Sequence, residues 1–586
     1  MYTFITLFLA LTFLFSRLNF WSLGYTGVFY LILTNIFISI LFAFYELYIT
    51  WLYSITVEYS CFIWAEVGNN LYTYWNYRLD LFGEILSFVM LSGSFFVILF
   101  VFVDMWDDKE GHLFVINLGF FMTFMLLVSN SGNLILFYLG WEGIGLTSLF
   151  LVNFWSERAR GTKASFKIFF INKIGDFFFL IFICLIGYLI GDFDFDVINA
   201  LTPILINYSY TVGNLTFNVT ELLGVLLLFS GCIKSAQYGF HIWLLEAMEA
   251  PLGASALMHS STLVVAGLVL IYRLSIFIEL STSSQCIMFI LGALSATAGS
   301  LLACFQFELK VIMAYSTISN MGYMFLLFAI GAYYEVLIVM VLHAYIKIFM
   351  FLVVGGIILH CNGNQDIRWM GGLLTYIPAL WVAYVVGGSC LIGLPYWSGY
   401  YCKHYILQQL SLSFNLVQGV EFILLISYYL TIFYISRVGY IVFLGSKNGH
   451  RKIYQKKFTS ILYMTDLFIL GFVILFSGYF WINLLYIEKN IIFNNSFVKI
   501  SLISNYNINL IPYNSIYIWV LIYILNFFTF FFINFFSLNY LNNFFKNWFV
   551  LITIFMIIFL YFFINFLFFY PIINLIVKCL EDTKKF

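Results

Sequence analysis

Apolar runs of bilayer length follow one another along almost the whole of this chain, and that pattern leaves few folds open to it. At about 20 residues per crossing, the runs predict spans near 2–20, 26–50, 81–104, 112–130, 133–155, 164–190, 219–242, 252–278, 285–305, 309–330 and 333–360. Further spans are expected near 372–402, 419–444, 461–484, 514–538 and 546–577, about 16 in all by that length criterion. With 63% hydrophobic and only 9% charged residues, the chain has too little polar surface to stay wet as a soluble body. An all-α, polytopic integral membrane protein follows. The net charge of -1 carries no signal for nucleic acid or for acidic partners.

The apolar sequence at Met1 lacks a short core ending in a small-residue cleavage site and resumes near Gly24, so a first span is expected there and not a removable signal. No Pro/Ser-rich linker or charged block divides the chain; the strongest polar interruptions are Glu58–Asp80, Asp192–Thr220, Ser446–Thr459 and the Asn-rich Glu488–Ser515. Arg158, Arg160 and Lys163 follow the fifth span, and Lys447, Arg451, Lys452, Lys456 and Lys457 the thirteenth. Both spans are odd-numbered, so these loops share one side, the one on which Lys and Arg remain.

Redox and metal chemistry within the chain are not expected. The nine cysteines form no C-x-x-C and no cluster, as an iron–sulfur or structural zinc site requires. The run GWEGIG at 140–145 does not stand in the βαβ setting of a dinucleotide loop, and its glycines suit close helix packing. His241, Glu246 and Glu249 reproduce no zinc spacing.

What stands out is a series of ionisable residues inside apolar sequence, where a charge costs about 2.5–3.5 kcal/mol even on the lenient insertion scale. Glu142 lies near the middle of its span with nothing basic within a turn, and Lys234, deep in the seventh span, has the same problem with the opposite sign. Pairing lowers both costs, and a pair that opens and closes is a switch. Lys163 and Lys167, near the start of a span, can snorkel to the surface. Lys173 and Asp176, in INKIGDF, are deeper and close together. Lys347 is central in its span with His343 four residues earlier, on the same helix face. His259, in the middle of the eighth span, and His343 read as relay members, because imidazole titrates near neutrality and passes protons through either nitrogen.

Helix breakers accompany these charges. Pro251 follows the acidic turn Glu246–Glu249, and Gly387, Gly388, Gly393, Pro395 and Gly399 run just ahead of Lys403. Broken helices at membrane depth occur where protein or water meets the freed backbone, and they recur as ion sites in transporters.

The stretch from about Asn130 to Lys403 resembles the antiporter-like subunits of respiratory complex I, NADH:ubiquinone oxidoreductase, and most closely chain 5. The matching motifs are GWEGIGLTSLF at 140–150, NKIGD at 172–176, KSAQ at 234–237, FHIWL at 240–244, SALMHSSTLVVAG at 255–267, AYSTISNMG at 314–322, HAYIKIFMF at 343–351, QDIRWMGGLL at 365–374 and GLPYWSGYYCK at 393–403. The resemblance implies that Glu142 and Lys234 form the input pair, Lys347 is the central lysine and Lys403 the outlet, supported by Asp176, His259 and His343. It also implies two inverted five-helix repeats, dividing the chain into 1–110, 111–280, 281–445 and 446–586.

By the same resemblance, the subunit moves protons while flavin, iron–sulfur clusters and ubiquinone belong to partner subunits, among them a chain 4 antiporter-like neighbour. Lipids surround it. The related alternative is a subunit of a multi-subunit sodium/proton antiporter, which shares these motifs. Abundant Phe with few Pro resembles an AT-rich organelle gene and points to the mitochondrial inner membrane, with a bacterial plasma membrane as alternative. Departures from the family pattern are Val339 for a second relay histidine, Leu245 and Gly253 for prolines, and His404 for an aspartate beside Lys403. Residues 514–577 are apolar nearly all round, so two spans are expected there in place of the family's long lateral helix, which would be amphipathic.

Overall fold

The computed structural model describes residues 20–53, 56–67, 71–212, 215–395, 397–412, 418–449 and 461–486. The expected spans near 2–20, 514–538 and 546–577, and the expectation about a lateral helix in the tail, lie outside the described residues. Contacts group residues 1–414 and 423–502 into one unit and 415–422 with 503–586 into a second; nearly all the described residues belong to the first.

Helices make up its body. They are α1 (Phe20–Tyr53), α2 (Leu81–Asp104), α3 (Gly111–Asn130), α4 (Leu134–Val152), α5 (Ala159–Leu189), α6 (Phe195–Leu201), α7 (Val219–Lys234), α8 (Ile242–Glu246), α9 (Leu252–Ser260), α10 (Leu263–Arg273) and α11 (Ser275–Leu280). The second half contains α12 (Thr282–Phe305), α13 (Leu309–Ile330), α14 (Tyr333–His360), α15 (Pro378–Ile392), α16 (Ser398–Leu412), α17 (Gln418–Gly439) and α18 (Ile461–Tyr486). Among the described residues, 11 helices are long and apolar enough to cross a membrane. The expected spans 219–242 and 372–402 are absent from that set because each is broken: α7 and α8 share the first, α15 and α16 the second.

The polar interruptions carry structure that the all-α expectation omits. Strand β1 (Val57–Val67) pairs antiparallel with β2 (Leu71–Leu79), and β3 (Ser209–Val212) with β4 (Leu215–Asn218). Outside the hydrocarbon a hairpin satisfies backbone groups as well as a helix does, and the β-branched and aromatic residues of 57–79 favour it. Both hairpins lie at the end opposite the basic loops, as the alternating direction of the spans requires.

Local rules set the helix ends. Asp80 caps α2 by accepting from the Gly83 N–H at 3.1 Å, and Asn133 caps α4 by accepting from the Leu136 N–H at 2.8 Å, each satisfying an otherwise orphaned donor. Helices α12 and α13 approach so closely that a Cβ at Gly322 would stand 2.5 Å from the Ala296 nitrogen, the small-residue packing of membrane helices.

Arg273, at the end of α10, ties three elements together. Its guanidinium donates to both oxygens of Asp80, the Nη2–Oδ1 bond being 2.9 Å, and to the Ser129 carbonyl at 2.7 Å. Burial alone would raise the Asp80 carboxyl, but Arg273, Arg78 and the Gly83 N–H outweigh it and hold it below the ordinary value. A depressed carboxyl contributes stability above its unfolded pKa of about 3.9 and loses it as pH falls through the folded one. Arg273→Met is therefore expected to destabilise the subunit in detergent by about 3–5 kcal/mol at neutral pH, because it leaves Asp80 without its main partner. Thermal unfolding checks this, and the gap from the native protein should narrow in acid.

Candidate functional site

Helix α5 packs against both α4 and α7, and on this contact the first group of charges meets. The Tyr138 hydroxyl, one turn before Glu142, donates to its Oε1 at 2.7 Å, while the Lys173 ammonium pairs with Oε2. Lys173 also stands 3.6 Å from Asp176, and the other oxygen of Asp176 is 3.5 Å from the Lys234 ammonium. Trp141 serves both members of that last pair. Its indole N–H donates to Asp176 at 2.7 Å, its carbonyl accepts from Lys234 at 3.3 Å, and its ring lies 4.7 Å from the same ammonium.

Among the described residues Glu142 and Lys234 form no ion pair with each other; an alternating row, Glu142, Lys173, Asp176, Lys234, links them. Helix α5 supplies the two middle members, presenting Lys173 and Asp176 three residues apart on one face, while Lys234 reaches the Trp141 carbonyl of α4 directly. Exposure separates the two ends of the row. Lys234 and Asp176 have side chains 1% and 3% exposed, whereas Lys173 is 38% exposed and Glu142 20%.

Lys234 is the last residue of α7, where the unpaired carbonyls at a helix C-terminus favour a cation. The chain then turns through Ala236 at φ 53° and Gly239 at φ 101°. The left-handed region costs a residue with a Cβ roughly 1–2 kcal/mol, and side chains hold the turn in place. The Trp243 indole donates to the Ile233 carbonyl at 2.8 Å and the Ser295 hydroxyl to Gln237 Oε1 at 2.7 Å. Breaks also occur at Pro251, as expected, and at Thr262.

A second group sits where α9 packs on α14. His259 is fully buried; neither ring nitrogen has a hydrogen-bond partner among the described residues, and the ring lies 5.9 Å from that of Phe351. On α14, His343 Nδ1 is 3.0 Å from the Asn320 amide nitrogen. One turn on, the Lys347 ammonium donates to Ser316 Oγ and, at 3.5 Å, to the Met313 carbonyl. Lys347 is fully buried and has no carboxylate partner among the described residues.

The third group follows the second broken helix. Helix α15 ends at Gly393, φ 85°, and α16 begins so near it that a Cβ on Gly399 would fall 1.6 Å from the Cys390 carbonyl oxygen. Only glycine fits there. Lys403 on α16 donates to Thr431 Oγ1 at 2.8 Å and lies 4.9 Å from the Tyr428 ring. The side chain of His404 lies outside the described residues. Helix α16 packs against α14, so the helices of Lys347 and Lys403 are neighbours.

Sequence reasoning placed the charged residues but not the groups that hold them. Trp141, Ser316 and Asn320 lie within the motifs GWEGIGLTSLF and AYSTISNMG, and Tyr138 stands four residues before Glu142, but none of these signals says which charge each side chain holds. Lys310 was also missed. It is buried at the start of α13 and donates to the Met248 and Ala250 carbonyls at 3.2 and 2.9 Å, fixing the chain just ahead of the Pro251 break.

Residues 131–433 match the family described as "NADH:quinone oxidoreductase/Mrp antiporter, TM", and the chain belongs to that family. Within it, the chain is 34% identical to NADH-ubiquinone oxidoreductase chain 5 of Paramecium tetraurelia over 460 residues, 78% of this chain and 79% of the relative. Chain 5 of Chondrus crispus is 32% identical, covering 75% of this chain and 66% of the relative; for Allomyces macrogynus the figures are 36%, 69% and 62%. Among solved structures, a chain in the Mrp complex from Dietzia sp. superposes with a TM-score of 0.69 at 19% identity, over 82% of this chain and 51% of that one. The chain therefore spans about half the length of that Mrp protein, and the likeness is one of fold. The chain is a multi-pass membrane protein that works within a multi-subunit membrane complex, and its relatives favour the chain 5 reading over the sodium/proton antiporter.

Proposed function

We propose that this chain is a proton-translocating membrane-arm subunit of an NADH:ubiquinone oxidoreductase in the mitochondrial inner membrane, and that it carries no redox centre of its own. Flavin, iron–sulfur clusters and ubiquinone would belong to partner subunits, and a chain 4 antiporter-like subunit would be its neighbour in the arm. The observation that supports this best is the series of buried or half-buried ionisable side chains carried by successively packed helices, from Glu142 through Asp176, Lys234, His259, His343 and Lys347 to Lys403.

The first group behaves as a switch. Asp176 faces Lys173 and Lys234 at nearly equal distances, 3.6 and 3.5 Å, so a small movement of α5 changes which lysine it compensates. At an effective dielectric near 20, such a contact is worth about 4 kcal/mol. When Asp176 turns to Lys173, charged Lys234 loses that compensation and its proton leaves more readily. When the contact re-forms, Lys234 takes a proton up again. His259, His343 and Lys347 then carry it through the middle of the chain, where an amide holds His343 and a hydroxyl holds Lys347 without fixing their charge. Lys403, on the second broken helix, releases it.

Purification from native membranes in mild detergent tests the reading. Flavin and iron–sulfur proteins with NADH:quinone reductase activity are expected to accompany the chain. An assembly free of flavin that protects sodium-sensitive cells would instead make it a sodium/proton antiporter subunit.

A further inference from the structure

One buried carboxyl stands apart from the row that ends at Lys234. Asp466 lies on α18, within the apolar segment Leu462–Ile482. It is 2% exposed, and neither carboxyl oxygen has a hydrogen-bond partner among the described residues. Among the described residues the other fully buried aspartate, Asp176, has Lys234 as a partner, and the half-buried Asp80 has Arg273. Among the described residues Asp466 has neither a cation nor a capping role, and Tyr463, one turn earlier, is the titratable group that faces it. A carboxylate left unpaired in hydrocarbon is so costly that the group takes up a proton instead. An aspartic acid serving only to fill space would be bettered by an apolar residue, which has no polar atoms to satisfy.

Its depth gives it a use. Helix α18 packs against α14, the helix of Lys347, and runs in the opposite direction. The Tyr463 hydroxyl donates to the Leu352 carbonyl at 2.7 Å, and a Cβ on Gly471 would stand 3.6 Å from the Phe349 ring. These two contacts bracket Asp466 and set it about level with Leu352. Lys347 is then deeper by about five residues, roughly 7 Å along the axis at 1.5 Å per residue. Asp466 lies toward the end of the bundle that bears the basic loops, the end from which α18 starts.

We propose that Asp466 is a further proton-carrying residue of this chain, holding a proton on the basic-loop side of Lys347 and delivering it to that lysine. The transfer crosses that gap through water: the carboxyl O–H bond breaks, water takes that proton and gives one of its own to the Lys347 amine, where an N–H bond forms, leaving a carboxylate and an ammonium that attract each other. The carboxylate regains a proton from water on the basic-loop side, and the ammonium passes its own onward. The inference rests on the relay reading of Lys347.

The test uses the whole complex in sealed vesicles, with Asp466→Asn, Asp466→Leu, Asp466→Glu and Lys347→Met compared for protons pumped per NADH oxidised. Asp466→Asn is expected to lower the ratio to the level of Lys347→Met, and Asp466→Glu to restore it. Infrared difference spectra should show a protonated-carboxyl band in the native complex that Asp466→Asn removes. Asp466→Leu gives the same readings with no unmet polar group should the Asn variant assemble poorly. A native ratio in either neutral variant, or a carboxyl band unchanged by the substitution, overturns the assignment. A native ratio in Lys347→Met as well would instead show that the relay reading itself is wrong.

Discussion

Asp176→Asn is expected to destabilise the subunit by about 3–5 kcal/mol, the effect of removing one member of a buried ion pair and leaving the other uncompensated. Asparagine keeps an acceptor for the Trp141 indole, so the loss isolates charge. Lys234, 1% exposed, has no water to turn to. Adding Lys234→Met should recover most of the loss, because the double variant buries no lone charge and the two sites are directly coupled. Glu142→Gln should do less, since the amide still accepts from the Tyr138 hydroxyl and Lys173 keeps Asp176 at 3.6 Å. Thermal unfolding of the purified complex reads all three variants against the native protein. Equal stability for Asp176→Asn with and without Lys234→Met would show that the contact does not hold the two helices.

Lys347→Met is expected to leave assembly intact and to reduce proton pumping strongly. Methionine matches most of the bulk of the lysine stem and needs no hydrogen bond, so the fully buried site loses a charge and keeps its packing. Positioned proton transfer by a single group commonly contributes a factor of about 100 or more. The Ser316 hydroxyl also bonds back to the Met313 carbonyl at 2.7 Å, so it is not left unsatisfied when Lys347 goes. Pumping coupled to NADH oxidation, compared at matched oxidation rates, is the measurement.

The sequence was most legible where physics is one-dimensional. Hydropathy placed spans at 81–104, 309–330 and 333–360, and the structure has helices with those limits, because bilayer thickness alone sets such lengths. The hairpins were missed because a search for long apolar runs passes over short paired strands, even ones as rich in aromatics as 57–79. The break after Lys234 was less visible than the one at Pro251: it turns on Ala236, whose left-handed backbone no residue preference announces, and Gly239 is its only breaker. For the site, the ionisable residues were evident from their surroundings, since few mechanisms put a lysine in hydrocarbon. Their partners were not. That Asp176 and not Glu142 meets Lys234 depends on how α4, α5 and α7 pack, which neither composition nor spacing encodes. Asp466 escaped notice for a related reason, since five residues into a span it reads as a charge near the surface, whereas packing against α14 buries it.

The central claim, that buried side chains of this chain move protons, is tested most directly by the number of protons pumped per NADH oxidised in vesicles containing the assembled complex. The variants Lys234→Met, Lys347→Met and Lys403→Met are compared one at a time with the native complex. The account predicts that each lowers the ratio while the complex still assembles and still contains its redox subunits. A native ratio in all three fully assembled variants would contradict it and leave the chain a scaffold.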